Sequence, residues 1–178
     1  MKEPEAMSET RTTLDQVLSA RREAGKAIVS VDEPMVKLVV FELLGEAFAF
    51  PASGIREILS NATVFFVPGC PPSLEGVINV RGDIESVIGL APLLGLPAGT
   101  VHEGSMILLG RDGTMSSGIR VDRVLDVTDV PRTAIQPPPS VLAEPMRRVV
   151  LGMLRHRERP VTLLDLGRIF EDYARGAG

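Results

Sequence analysis

The run Gly76-Val77-Ile78-Asn79-Val80-Arg81-Gly82-Asp83-Ile84-Glu85-Ser86-Val87-Ile88 decides the fold. Gly76 to Val80 and Ile84 to Ile88 are short apolar stretches rich in β-branched residues. Arg81-Gly82-Asp83 between them has the composition of a turn, so the segment reads as a β-hairpin. Pro92 to Leu94 then supplies a helical turn before Gly95. The same phrase returns downstream. With Gly76-Val77-Ile78 laid over Gly152-Met153-Leu154, Arg81 falls on Arg157, Val87-Ile88 on Leu163-Leu164, Leu90 on Leu166, and Leu93-Leu94 on Ile169-Phe170. A hairpin and a following helix thus occur twice in one hydrophobic register, which predicts two similar small barrels in one chain.

Working outward, Lys37 to Leu43 and Ala47 to Phe50 flank Leu44-Gly45-Glu46 as another hairpin. Ser53 reads as the cap of a short helix with Ile55, Ile58 and Leu59 on one face. Thr63 to Val67 reads as a strand stopped by Pro68-Gly69. A third hairpin runs from Ser105 to Leu109 and returns from Met115 to Val121. A fourth joins Val149 to Leu154 with Val161 to Leu164 through Arg157-Glu158-Arg159-Pro160, and Pro137-Pro138-Pro139 marks a loop. The closing helix carries Leu166, Ile169, Phe170 and Tyr173 at helical spacing. Two looser matches extend the repeat: Leu43-Leu44-Gly45 with Leu108-Leu109-Gly110, and Val67-Pro68 with Val130-Pro131. Many short strands with only short helices between them point to a mainly β fold rather than a βαβ sheet.

The chain has 178 residues, 19 Lys plus Arg against 23 Asp plus Glu, and a net charge of −4. That balance argues against nucleic acid as a partner, because such a binder needs a basic footprint. With 4% aromatic residues and no Trp, base-stacking platforms are not expected either. No long uncharged apolar run is present, so direct membrane insertion is not expected, and the polar opening of the chain does not read as a signal peptide. The plain expectation is a cytoplasmic protein. Residues 1–33 carry five Lys/Arg and seven Asp/Glu with few large apolar side chains. They read as a flexible polar N-terminal tail, with at most a frayed helix over Thr13 to Ala24 through Leu14, Val17 and Leu18. The folded domain is expected over residues 34–175.

The search for chemistry returns little. Cys70 is the one cysteine, which excludes a disulfide framework and a cysteine-based zinc cluster. It lies beside Pro71 and Pro72 with no base nearby in sequence, as a catalytic thiol would need. His102 and His156 have no second imidazole at ligand spacing, and His156 reads as part of a solvated basic turn with Arg155, Arg157 and Arg159. Gly110-Arg111-Asp112-Gly113 is a hairpin turn, not a phosphate cradle, and neither a Walker lysine nor a dinucleotide fingerprint is present. Asp83 and Glu85 share a strand face, read as solvated. The chain asks for no cofactor and no metal.

What remains is surface recognition. Arg81 belongs at a barrel rim, either solvated or held as a fork by a carboxylate, and Glu57 is the nearest partner in the same half of the chain. Ile55 and Ile58 would place apolar surface beside such a pair.

These residues resemble a known family. Phe41-Glu42-Leu43-Leu44-Gly45-Glu46, then Ile55-Arg56-Glu57-Ile58-Leu59, Val67-Pro68-Gly69 and Leu74-Glu75-Gly76-Val77-Ile78-Asn79-Val80-Arg81-Gly82-Asp83-Ile84 are similar in order and spacing to the CheW domain. So is the close, Leu163-Leu164-Asp165-Leu166. The resemblance spans Val36 to Phe170 and implies two packed five-stranded SH3-like β-barrels with short helices. It implies a non-enzymatic adaptor coupling chemoreceptors to a CheA-type histidine kinase in a signalling array. The implied partners are the kinase's regulatory domain and the receptor's cytoplasmic helical hairpin, the latter lying between the barrels. It places the protein in the cytoplasm at membrane-associated receptor arrays. Glu57 and Arg81 match the family's acidic residue and motif arginine, and Ile55, Ile58, Gly76, Asn79 and Val80 complete the expected partner-binding set.

One departure is local. Where the family commonly shows a Pro, two aliphatics, an Asp and a Leu, this chain has Ser86-Val87-Ile88-Gly89-Leu90, and Gly89 is a poorer helix cap than Asp. The second half keeps Asp165 at the equivalent place. Alternatives stay open: a kinase-binding scaffold or inhibitor of a pathway with another output and no receptor contact, a small enzyme using Cys70 or the Asp83/Glu85 pair, and a ligand sensor.

Overall fold

The computed structural model describes residues 33–176. The tail expected over residues 1–33, with its short helix, lies outside the described residues apart from Glu33. Ten strands follow: β1 (Met35–Leu43), β2 (Glu46–Pro51), β3 (Ile55–Ser60), β4 (Leu74–Val80), β5 (Asp83–Gly89), β6 (Met106–Asp112), β7 (Met115–Val121), β8 (Arg123–Pro131), β9 (Val150–His156) and β10 (Arg159–Leu164). Three short helices accompany them, α1 (Leu90–Leu93), α2 (Met146–Val149) and α3 (Leu166–Ala174). The architecture is mainly β, two packed five-stranded SH3-like barrels.

Their strand orders are β8-β1-β2-β10-β9 and β3-β6-β7-β5-β4. Read along the chain, β1 to β5 with α1 form one repeat and β6 to β10 with α3 the other. Replacing each strand of the first order by its repeat counterpart gives the second order. Each barrel therefore takes its leading hairpin from one repeat and its other three strands from the other. In each barrel the repeats join through one antiparallel pairing, β1 with β8 or β6 with β3, and one parallel pairing, Leu163 with Ala49 or Val87 with Gly118, at equivalent places. The barrels are interwoven, so one repeat is not one barrel.

Strand alternation explains the three cores. Leu38 and Val40 of β1, Ala47 and Ala49 of β2, and Val161 and Leu163 of β10 fill the first barrel. Val39, Phe41, Phe48, Phe50 and Leu164 from the same strands point between the sheets, where they meet Ile88, Leu108, Ile119 and the buried residues of α1, α2 and α3. Strands with both faces buried lose the apolar-polar alternation and read as continuous apolar runs. The Phe41 ring stacks on Phe50 at 5.1 Å and on Phe48 at 6.0 Å. Ile78, Val87 and Ile107 fill the second barrel, with Leu59, Val64 and Val80 around them.

The hairpins fall where expected, and the hairpin-helix repeat holds in register. Three readings need correction. The helix capped by Ser53 is a single 3-10 turn (Ala52–Gly54), and Ile55, Glu57, Ile58 and Leu59 lie on β3. A bulge between Ile55 and Glu57 adds one residue to that strand, so residues three apart share a face and imitate helical spacing. The strand expected over Thr63 to Val67 shrinks to one bridge, Phe65 with Val77. The looser matches fail as well. Turn positions equate Leu43 with Asp112, not Leu108. Val130 and Pro131 end β8, a whole strand that the composition did not announce.

Candidate partner-binding site

Two devices bring Glu57 and Arg81 together. The β3 bulge sets Glu57 opposite Leu109. The β4–β5 hairpin closes through a two-residue turn with both central residues at positive φ, 55° at Arg81 and 101° at Gly82, as primed hairpin turns require. The Asn79 side-chain oxygen accepts the Gly82 N–H at 2.8 Å and fixes that turn. Arg81 Nη2 then donates to Glu57 Oε1 at 2.9 Å, with the arginine side chain 80% exposed. A pair this open adds at most about 1 kcal/mol to stability. Its effect is geometric: it aims a guanidinium outward from the barrel tip.

Of the rest of the expected set, Asn79 stands beside that pair, and Ile55, Ile58, Gly76 and Val80 are turned inward in part or whole. Ile55 and Ile58 pack against the core between the sheets. Val80 packs into the second barrel with Leu59. Gly76 is buried, at φ 152°, where a side chain would strike the backbone of Phe65, so it permits the close crossing of the chain there. Glu85 is not solvated as read: Arg56 pairs with it at 3.4 Å and reaches Ser116 Oγ at 3.3 Å. Nor is His156, whose Nε2 lies 2.9 Å from Asp126 Oδ2.

A second surface opens between the sheets. Leu43 and Leu44 at the β1–β2 turn, Gly89 at the end of β5, Leu90 of α1 and Arg120 of β7 line a cleft of about 390 Å³. Phe66 and Val101 stand at its edge, 76% and 63% exposed. Arg120 is held in its wall by Glu75 and by Ser105 Oγ at 2.9 Å. Spacing arguments missed this cleft because its walls come from strands far apart in sequence. The exposed Phe65-Phe66 pair was the available signal.

Among the described residues no three His, Cys, Asp or Glu stand together to hold a metal, and no helix is long and apolar enough to cross a membrane. Among carboxylates, Glu42 is held below its ordinary 4.5, chiefly by the hydrogen bond from Arg123 and then that from Arg159, against the opposing effect of burial.

Twin barrels that set a guanidinium tip on one side and a cleft of mixed apolar and charged lining between the sheets suit a scaffold, a protein that acts through its surfaces. The sequence pattern of the CheW-like domain matches residues 37–174, and the chain belongs to that family, whose members are scaffold adaptors of chemotaxis signalling and not enzymes. It is 27% identical to a probable chemotaxis protein CheW from Rhizobium etli over 82% of this chain and 94% of that one. To the chemotaxis protein CheW of Treponema pallidum it is also 27% identical, over 80% and 86%. The solved scaffolding protein TtCheW from Thermoanaerobacter tengcongensis superposes with a TM-score of 0.69 at 27% identity, covering 78% of this chain and 94% of that one.

Proposed function

We propose that this adaptor couples chemoreceptors to a CheA-type histidine kinase, holding the two at a fixed geometry on one rigid body. The observation that carries the reading is that the Arg81–Glu57 tip and the cleft between the sheets share no residue, so two partners have separate seats. A helical hairpin suits the cleft, since Leu43, Leu44, Leu90 and Phe66 can take the apolar stripe of a helix while Glu75, Arg120 and Asp122 meet its polar flank. The kinase regulatory domain, itself of this fold in the family, suits the rigid barrel tip, with Glu57, Asn79 and Arg81 on the contact face. Each contact is small, and an array supplies the avidity that a single contact lacks. The site of action is then the cytoplasmic face of receptor arrays, reached through partners rather than by insertion.

The test is co-purification with the kinase regulatory domain and with a receptor hairpin fragment, each alone. Arg81→Glu sets like charge against Glu57 without touching a core, so the fold stays intact. It is expected to lose roughly tenfold or more in kinase-domain affinity and to keep the receptor fragment. Phe66→Glu at the cleft edge is expected to do the reverse. Kinase binding without receptor binding in the wild-type chain would leave the receptor-independent scaffold in place instead.

A further inference from the structure

The exchanged strands make every position in one barrel comparable with a position in the other. Leu109 pairs with Glu57 and Val40 with Asp126, so Asp126 is the counterpart of Glu57. Arg157 is the counterpart of Arg81, again in a two-residue turn at positive φ. Arg157 Nη2 lies 2.9 Å from Asp126 Oδ2, which repeats the pair at the tip of the first barrel.

Beside that pair the barrels differ. In the second barrel the mouth is plugged by polar side chains, Arg56 hydrogen-bonded to Glu85 and Ser116. The counterparts in the first barrel are Leu125, Val161 and Ala47, and no plug forms. Instead a pocket of about 160 Å³ opens there, floored by Val40, Ala47, Leu125 and Val161 and rimmed by His156, Arg157 and Arg159. That volume equals roughly five waters at ~30 Å³ each, which is the room for one side chain and far below a drug-sized site of at least ~300 Å³. With Arg123, which stands next to the rim on Glu42, the ion-pair cluster around the mouth carries an excess of positive charge. Arg123 and Arg159 share Glu42, while His156 and Arg157 share Asp126, so three arginines and a histidine face two carboxylates.

We propose that this pocket is a binding site for a linear segment of a partner protein that carries an aliphatic residue next to an Asp or Glu. The aliphatic side chain enters between Leu125 and Val161, and the carboxylate lies against Arg157, whose side chain is 73% exposed and has donors to spare. An uncharged segment would leave the excess positive rim unmatched. A basic one would be repelled. The pocket lies on the barrel opposite the Arg81–Glu57 tip.

The test uses the full chain and three capped hexapeptides, Gly-Gly-Leu-Glu-Gly-Gly, its Leu-Gln analogue and its Ala-Glu analogue, followed by amide chemical shifts in NMR titrations. Saturable shifts are expected at residues 125–126 and 154–161 with the Leu-Glu peptide, at least about fivefold weaker binding for either analogue, and weakening at higher ionic strength. Arg157→Gly suits the positive-φ turn and so keeps the fold. It is expected to remove the advantage of Leu-Glu over Leu-Gln, while Leu125→Arg, which restores the polar residue of the other mouth, is expected to abolish binding of both. Absence of saturable shifts overturns the proposal, as do equal responses to Glu and Gln peptides or shifts centred on Arg81 or the cleft. Peptide-independent shifts that grow with protein concentration would overturn it in favour of a second copy of this chain.

Discussion

Arg81 holds φ at 55°, a region where any side chain larger than glycine costs roughly 1–2 kcal/mol. Its pair with Glu57 is too exposed to offset that. The primed turn of the β4–β5 hairpin requires that φ, and the pair leaves the guanidinium 80% exposed at the barrel tip. Glu42 is a different kind of residue. Its carboxylate, 15% exposed, binds Arg123 at 3.0 Å and Arg159 at 3.2 Å, tying β1 to β8 and β10. Because the folded state depresses its pKa below 4.5, the folded protein binds fewer protons there than the unfolded chain. The stabilisation is fully present above the unfolded value and is lost as pH falls through the folded one. Glu42→Gln is expected to lower stability at pH 7 by about 1 kcal/mol and to flatten the loss of stability below pH 4.5. Urea denaturation at a series of pH values reads both; a variant with the same acid limb as the wild type would remove Glu42 from this role.

Among the elements, the two crossings under β4 and β9 are the tightest places in the fold. At Gly152 an added Cβ would stand 2.6 Å from the Gln136 carbonyl oxygen, where Gln136 and Met153 exchange backbone hydrogen bonds of 2.7 and 2.8 Å. Backbone cannot retreat as a side chain does, so Gly152→Ala is expected to cost about 1–3 kcal/mol, read as a lowered denaturation midpoint. An unchanged midpoint would mean that the crossing is looser than described. The helices show the value of one cap. Asp165 accepts the Arg168 N–H at 3.1 Å and heads the nine-residue α3, whereas Gly89 offers no side chain and α1 stops after four residues. That difference was legible in the sequence, as were all four hairpins and the Arg81–Glu57 pairing. What was not legible came from bulges and edges. One extra residue in β3 turned a strand into apparent helix, and β8 hid because it is an edge strand studded with Arg123, Asp126 and Asp129. The signal was present: Ile55-Arg56-Glu57-Ile58 returns as Val124-Leu125-Asp126-Val127, and that match points to both the missing strand and the second carboxylate.

At the scale of the molecule, strand exchange makes the two repeats interdependent. β1 and β2 find their neighbours in β8 and β10, and β5 finds its in β7, so neither half of the sequence contains a complete barrel. Residues 33–99 and 100–176 made separately are expected to stay unfolded by far-UV circular dichroism, and to recover the β signal when combined. Either piece folding alone would contradict the interwoven topology. This architecture also suits an adaptor: the core between the sheets joins both barrels through Phe41, Phe48 and Phe50, so surfaces on the two barrels keep their relative position without a hinge. Sequence periodicity predicted two barrels but not that they share strands, because parallel joins between distant strands leave no local mark.

The most direct measurement of the central claim, two seats on one rigid body, is size-exclusion chromatography with light scattering on a mixture of this chain, the kinase regulatory domain and the receptor hairpin fragment. The account predicts a ternary complex in which both partners are held at once, and its conversion by Arg81→Glu to a complex with the receptor fragment alone. Mutually exclusive binding of the two partners, or a folded Arg81→Glu chain that still holds both, would contradict it.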